Sequence, residues 1–252
     1  MPTETPTTTF HQVSELESPA PTLIEGLPGH GLVASIAADH ITKQLGLTHH
    51  GAIRSDAFSS VASFAEGRIQ DTIRVSAGAD PAVMTLQSDV PIPEDTFTPL
   101  SQCVLEELAD GFSRAIFLAG APAQAEDQIG DVRGVATTEA VKQELADAGI
   151  PIADDPGAVN GVTGALVNAC YQEDVPAALL LVQADPRLPD PAAARAVIEN
   201  ALEPLVEFEI TTDELREQAD RIQEQKQQIS QQFQHARNDE QAEPRQTRGM
   251  YQ

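Results

Sequence analysis

Residues 29–34, Gly29-His30-Gly31-Leu32-Val33-Ala34, fit the pattern GxGxxA. In a dinucleotide-binding protein, such glycines let a strand-to-helix turn approach a pyrophosphate at the helix N-terminus. Asp56 follows at about the distance of a ribose-binding carboxylate. The chemistry implied is hydride transfer with a nucleotide cofactor. The same glycines equally suit a tight turn whose helix lies close on a sheet. Pro28 and a short preceding strand make the turn unusual for a cofactor loop. A second cluster, Gly157, Gly161 and Gly164, also precedes a helical pattern and would expose amides to an anion. No Lys or Arg adjoins either loop, which favours close backbone packing at both. His30 is the best-placed candidate for acid–base work, His40 falls on or beside an apolar helix face, and His49 and His50 point opposite ways in a strand. There is no HxxxH pair and no GxSxG elbow. We therefore assign no catalytic residue, metal or cofactor. Gly29, His30 and Gly31 stand as a glycine turn of open role, and Cys103 and Cys170 read as small buried apolar residues.

The last three residues offer a different chemistry. Met250-Tyr251-Gln252 presents an apolar foot, an aromatic anchor and a free carboxylate after a polar segment. Capture of a chain end in a pocket is an established mode of peptide recognition.

Composition narrows the partners. The chain has 252 residues with 39 acids against 15 bases, a net charge of −24, and only three lysines, Lys43, Lys142 and Lys226. Nucleic acids and anionic membranes need a concentrated positive face, so neither is an expected partner. The acid-rich, Lys-poor balance resembles that of salt-adapted cytoplasmic proteins, where molar salt shortens the Debye length to about 3 Å. No stretch reaches the roughly 18–20 apolar residues of a membrane helix. The N-terminus lacks the basic and apolar regions of a secretory signal, and we expect a cytoplasmic location.

The elements that must hold these residues follow from periodicity. Thr22–Glu25 reads as a short buried strand and Gly31–Leu45 as a helix. Val61–Phe64, Ile69–Val75 and Val83–Leu86 read as strands joined by hairpins. Thr96–Phe112 is helical, Ala115–Gly120 is a fully apolar strand, and Thr138–Ala148 is a helix closed by Gly149. Ile150–Ala153 is a short strand, Gly157–Ala169 a glycine-interrupted helix entry, and Ala177–Val182 a second apolar strand. Asp190 and Pro191 start a helix that runs to about Leu205. Buried strands separated by helices give an α/β domain over residues 22–208, after a disordered tail at 1–21.

Thr211-Thr212-Asp213-Glu214 fits a capping box, with Ile210 and Leu215 as a hydrophobic staple. The helix that follows, 209–236, is rich in Glu, Gln and Arg. Leu215, Ala219, Ile222, Ile229 and Phe233, with Lys226 interrupting, are spaced 4, 3, 4, 3, 4. That is an a/d seam for self-association, or the apolar stripe of a helix packed on its own domain. Residues 237–252 read as a flexible tail carrying the docking end.

Four segments together resemble one family. Gly26-Leu27-Pro28-Gly29-His30-Gly31-Leu32-Val33 is similar to the G-x-P-G-x-G-x-V opening of the proteasome assembly chaperones, and Gly134-Val135-Ala136-Thr137-Thr138 to their central G-x-A-T element. Gly161-Val162-Thr163-Gly164-Ala165-Leu166 resembles their second glycine segment, and Pro189-Asp190-Pro191-Ala192-Ala193-Ala194 their P-D-P-x-A-A helix start. The resemblance implies a three-layer α/β/α sandwich, phosphorylase-like, with a C-terminal helix extension. It also implies an oligomer without established enzyme activity. In archaeal homologues of one branch, a hydrophobic-Tyr-x end docks between proteasome α-subunits, which carries over here to Met250, Tyr251 and Gln252. The expectation is a non-enzymatic assembly chaperone or activator of the proteasome core, with the α-ring as partner. The alternative is an enzyme of nucleoside-phosphorylase-like or dinucleotide-binding type at Gly29–Ala34. A scaffold that uses only the helix seam is a third reading.

Overall fold

The computed structural model describes residues 7–242 apart from Pro19, with side chains as far as Gln228 and without that of Asp110. The chain opens with β1 (Thr8–Gln12) and β2 (Thr22–Gly26), followed by α1 (Val33–Gln44) and β3 (Thr48–Ser55). A small hairpin, β4 (Ser63–Ala65) and β5 (Arg68–Gln70), precedes β6 (Ile73–Ala79) and β7 (Ala82–Ser88). Then come α2 (Phe97–Cys103), β8 (Arg114–Pro122), β9 (Val132–Ala136), α3 (Glu139–Asp147), α4 (Gly161–Gln172) and β10 (Ala177–Ala184). The chain continues with α5 (Pro191–Val197), α6 (Glu203–Val206) and the long α7 (Asp213–Ala242).

Eight strands form one mixed sheet in the order β1-β3-β6-β7-β2-β8-β10-β9. The centre is parallel: β2 pairs with β7 and β8, and β8 with β10. The other pairings are antiparallel. Continuous apolar runs occupy that centre because both sheet faces are covered. Along β8, Ala115 and Phe117 enter one core while Ile116 and Leu118 enter the other. Leu23 and Ile24 divide the same way on β2, and Leu179 and Leu180 on β10. Residues of α1, α3, α5 and Leu215 of α7 close the first core, and residues of α2 and α4 the second. Helices therefore cover both faces of the sheet. Full burial of each such Leu, Ile or Phe contributes about 1.5–3 kcal/mol.

The helix starts read from the sequence carry their caps. Thr138 Oγ1 accepts from the Val141 amide at 3.2 Å, and Asp190 Oδ1 accepts from the Ala193 amide at 3.0 Å. Ile210 and Leu215 meet in one core, as a staple requires. The expected capping box differs: the Thr211 hydroxyl donates to Asp213 Oδ2 at 3.3 Å and the Thr212 hydroxyl to Glu199.

Other departures have physical reasons. Within the first 21 residues, expected to be a disordered tail, Thr8–Gln12 forms a strand on the sheet edge. Its backbone pairs with β3 and Phe10 packs against the second core, so its polar sequence is no obstacle. Ile150–Ala153 provides only one bridge, Gly134 to Ile152. The helix expected over Thr96–Phe112 passes through a π turn at Val104–Leu108 and a 3-10 turn at Ala109–Gly111. The last helix runs to Ala242 instead of ending near residue 236. Among the described residues, no helix is long and apolar enough to cross a membrane.

Candidate functional site

β2 and β8 pair only from Thr22 to Ile24 and then diverge. The Leu118 amide is left to donate to Glu25 Oε2 at 3.4 Å. Glu25 Oε1 accepts from the Leu27 amide at 3.0 Å and from Thr163 Oγ1 at 3.2 Å. Glu25 is fully buried. It points to the α4 side of the sheet because it follows Leu23 by two residues on the strand. Burial pushes its carboxyl up to about 8, against the three donors, which favour the charged form.

Gly26 faces the opposite side, where a Cβ would lie 2.2 Å from that of Ala38 on α1. Only glycine allows α1 to sit this close to β2. Beyond it the chain turns through Gly29 and a single 3-10 turn, His30–Leu32, in which Gly31 has φ +62. The His30 carbonyl lies against β8, where a Cβ on Gly120 would fall 2.2 Å from it. The Gly31 carbonyl accepts from the Asp190 amide at 2.8 Å. Asp190 Oδ2 accepts in turn from the Asp185 amide at 2.7 Å.

These contacts border a crevice of about 840 Å³ beside the carboxyl ends of β2 and β8 and against the face of β10 at Leu179 and Leu181. Gly29 and His30, Leu118–Pro122 at the end of β8, Val135 and Ala136 of β9 with Thr137 after it, and Thr163 and Gly164 of α4 all line it. Three of the four separated sequence motifs thus meet around one space, and the fourth, through Asp190, braces the glycine turn. The lining carries no Lys or Arg, and its acidic residue is Asp155.

The structure separates the other sequence candidates. Two strands, β6 and β7, lie between β3 and β2. That puts Asp56, just past β3, about three strand spacings or ~14 Å to the side of the glycine turn. The dinucleotide geometry therefore fails: the strand after the glycine helix is not the neighbour of the first strand. Gly26, Gly120 and Gly164 are explained by close packing; a Cβ on Gly164 would fall 2.1 Å from the Val159 carbonyl. His40 is buried in α1 and its Nε2 donates to the Thr211 carbonyl at 2.7 Å. His49 is exposed and His50 buried, pointing apart as expected, and burial holds His50 below the usual histidine range. Cys103 and Cys170 are buried, and burial first of all pushes their thiols up to about 12 and about 11, so neither is a nucleophile near neutral pH. Among the described residues, no three His, Cys, Asp or Glu side chains are grouped to hold a metal.

The helix seam begins within the chain. Leu215 is 2% exposed in the domain's own core, and Ala219 and Ile222 are half-buried on the same stripe. Lys226, the interruption in the apolar pattern, puts Nζ 2.5 Å from Asp185 Oδ2. The side chains of Ile229 and Phe233 lie outside the described residues, as do Met250, Tyr251 and Gln252.

Sequence reasoning missed Glu25. A single acid among 39 carries no signal. Its position inside the otherwise uncharged run Thr22-Leu23-Ile24-Glu25-Gly26 was the available hint.

The fold has close relatives among solved structures. PbaA of Pyrococcus furiosus, described as an archaeal homolog of proteasome-assembly chaperone, superposes with a TM-score of 0.79 at 24% identity, over 92% of this chain and 96% of that one. PbaB of the same organism, described as an archaeal proteasome activator, gives a TM-score of 0.77 at 20% identity, over 89% and 99%. An uncharacterized protein of Methanocaldococcus jannaschii is 25% identical over 224 residues, which cover 88% of this chain and 91% of that protein. The family model described as the PAC2 family matches residues 23–230. The chain belongs to the PAC2 family.

Proposed function

We propose that this protein is a non-enzymatic assembly chaperone or activator of the proteasome core particle. The observation that carries this reading is membership of the PAC2 family across the α/β body and into α7. The described roles of the two Pyrococcus furiosus proteins that share its fold support it. In this reading the body positions α7, and α7 carries the end of the chain outward.

The contact with the partner is assigned to Met250, Tyr251 and Gln252, docked in the α-ring. Tyr251 supplies a large aromatic surface at little rotamer cost. Met250 adapts to a shallow apolar contact. Gln252 contributes its α-carboxylate, which a Lys in the receiving pocket pairs. Self-association would place several such ends on one ring and raise their effective concentration. Ile229 and Phe233, whose side chains lie outside the described residues, are the positions proposed to pair between copies. A negative charge at both would lower the mass measured by light scattering, because an unpaired buried charge costs several kcal/mol.

Two assays divide the roles. An activator accelerates peptide hydrolysis by a mature core particle when added to it. An assembly chaperone leaves that rate unchanged and increases the yield of core particle reconstituted from separate subunits. If neither quantity moves and no binding is detected, the reading fails.

A further inference from the structure

The tail-docking reading makes no use of the crevice beside the glycine turn. It lies where the chain reverses direction across the sheet: β2 leads by α1 toward β3 on one side, and β8 leads toward β10 on the other. In open α/β sheets such a switch point leaves a crevice outside the strand ends. Its volume of about 840 Å³ suits a small organic molecule.

The walls are apolar, with Ala119, Leu179, Leu181 and Val167 among them. Thr163, which donates to Glu25, is 8% exposed and belongs to the deep end. His30 also lines the space; its Nε2 has no hydrogen-bond partner and in this ring orientation is closed to solvent, so a ligand reaches it by a turn of the ring. A buried ring nitrogen without a partner costs about 1–3 kcal/mol until something supplies one. Tyr171, 64% exposed, stands on the same lining. Gly29 is the unexplained glycine of the turn. Its φ of −143 suits any residue, and a Cβ there would meet nothing within 4 Å.

We propose that this crevice binds an uncharged, flat heteroaromatic molecule whose polar edge pairs with His30 and Thr163 and whose ring lies between the apolar wall and Tyr171. Charge selects this class. A phosphate or carboxylate needs a cation or a free cluster of donors, and the lining has no Lys or Arg and one acid, Asp155. The position of the site is independent of the proteasome reading and survives its failure.

Nicotinamide, adenine and adenosine are suitable probes, with AMP as the anionic control, each titrated into the full chain in molar KCl and followed by saturation-transfer NMR and calorimetry. At least one neutral probe is expected to bind with a Kd below about 1 mM, and AMP at least tenfold more weakly than adenosine. Val135 lines the crevice and is 37% exposed, so Val135→Trp fills the space without disturbing the core. That variant should retain its melting temperature and lose the probe, and His30→Ala should weaken it about tenfold. The proposal is overturned if none of the neutral probes binds, if binding survives Val135→Trp, or if AMP binds as tightly as adenosine.

Discussion

Lys226 and Asp185, 41 residues apart, are joined by a 2.5 Å ion pair that fastens α7 to the loop after β10. That loop also braces the glycine turn, because the Asp185 amide donates to Asp190 and the Asp190 amide donates to Gly31. The same contact therefore links α7 to the glycine turn through that loop. Burial raises the Asp185 carboxyl, but the bonds from Lys226 and from the Arg187 and Leu188 amides outweigh it and hold the group below the usual aspartate range.

Lys226→Ala should free this turn of α7. Amide exchange at residues 223–228 is expected to accelerate, while global stability falls by no more than about 1 kcal/mol, as for a partly exposed pair. A depressed carboxyl contributes stability above its unfolded pKa and loses it as the pH falls through the folded value. The difference in exchange between the wild type and the variant should therefore disappear in acid, below the ordinary aspartate range. Equal exchange in the two proteins at neutral pH would mean that the ion pair does not anchor the helix.

Glu25 gives the opposite sign. Its folded pKa is raised from 4.5 to about 8 by burial. Its contribution to native stability should be greatest at or below the unfolded value and decline as pH rises toward 8, by up to roughly 5 kcal/mol for a shift of this size. Glu25→Gln should flatten that decline between pH 5 and 8, read from urea midpoints across that range. A slope unchanged by the substitution would place the titrating group elsewhere.

The glycines of the turn divide into two classes that can be told apart. Gly26→Ala and Gly120→Ala put a Cβ 2.2 Å from another atom, the Ala38 Cβ in the first case and the His30 carbonyl oxygen in the second. Each should cost roughly 1–3 kcal/mol or more through overpacking. Gly29→Ala meets nothing and should stay within about 0.5 kcal/mol of the wild type. Melting temperatures measured together decide whether the turn is built for packing at the first two positions only.

The central strands and most helices were legible because burial on both faces forces continuous apolar runs, as in Ala115–Gly120 and Ala177–Val182. The edges were not. β9, Val132-Arg133-Gly134-Val135-Ala136, has a full strand partner on one side and a single bridge on the other, and it tolerates an arginine and a glycine that argue against a strand in sequence. β1 is polar for the same reason, since an edge strand is held by its backbone ladder to β3. The glycine turn was legible as a place but not as a site. Its cofactor reading needed β3 beside β2, and that adjacency is broken by β6 and β7 inserting between them, which no local pattern encodes. Lys226 looked like a flaw in an apolar seam because its partner, Asp185, lies in a distant loop.

Salt should govern stability. With 39 acids and 15 bases, at least 24 carboxylates have no cationic partner to themselves. Their repulsion is screened as the Debye length falls from about 10 Å at 0.1 M to about 3 Å at 1 M. The melting temperature is expected to rise with KCl across that range. A flat or falling curve would exclude salt adaptation as the reason for the composition.

The central claim rests on three residues. The most direct measurement is the affinity of the full chain for the purified proteasome core particle, compared with chains lacking residues 250–252 or carrying Tyr251→Ala. Loss of a buried anchor costs about 2 kcal/mol or more at each site, multiplied where several tails bind one ring. The account predicts binding by the full chain that falls at least thirtyfold on truncation, with melting temperature and oligomer mass unchanged. Undiminished binding by the truncated chain would contradict it and transfer the partner contact to the α/β body.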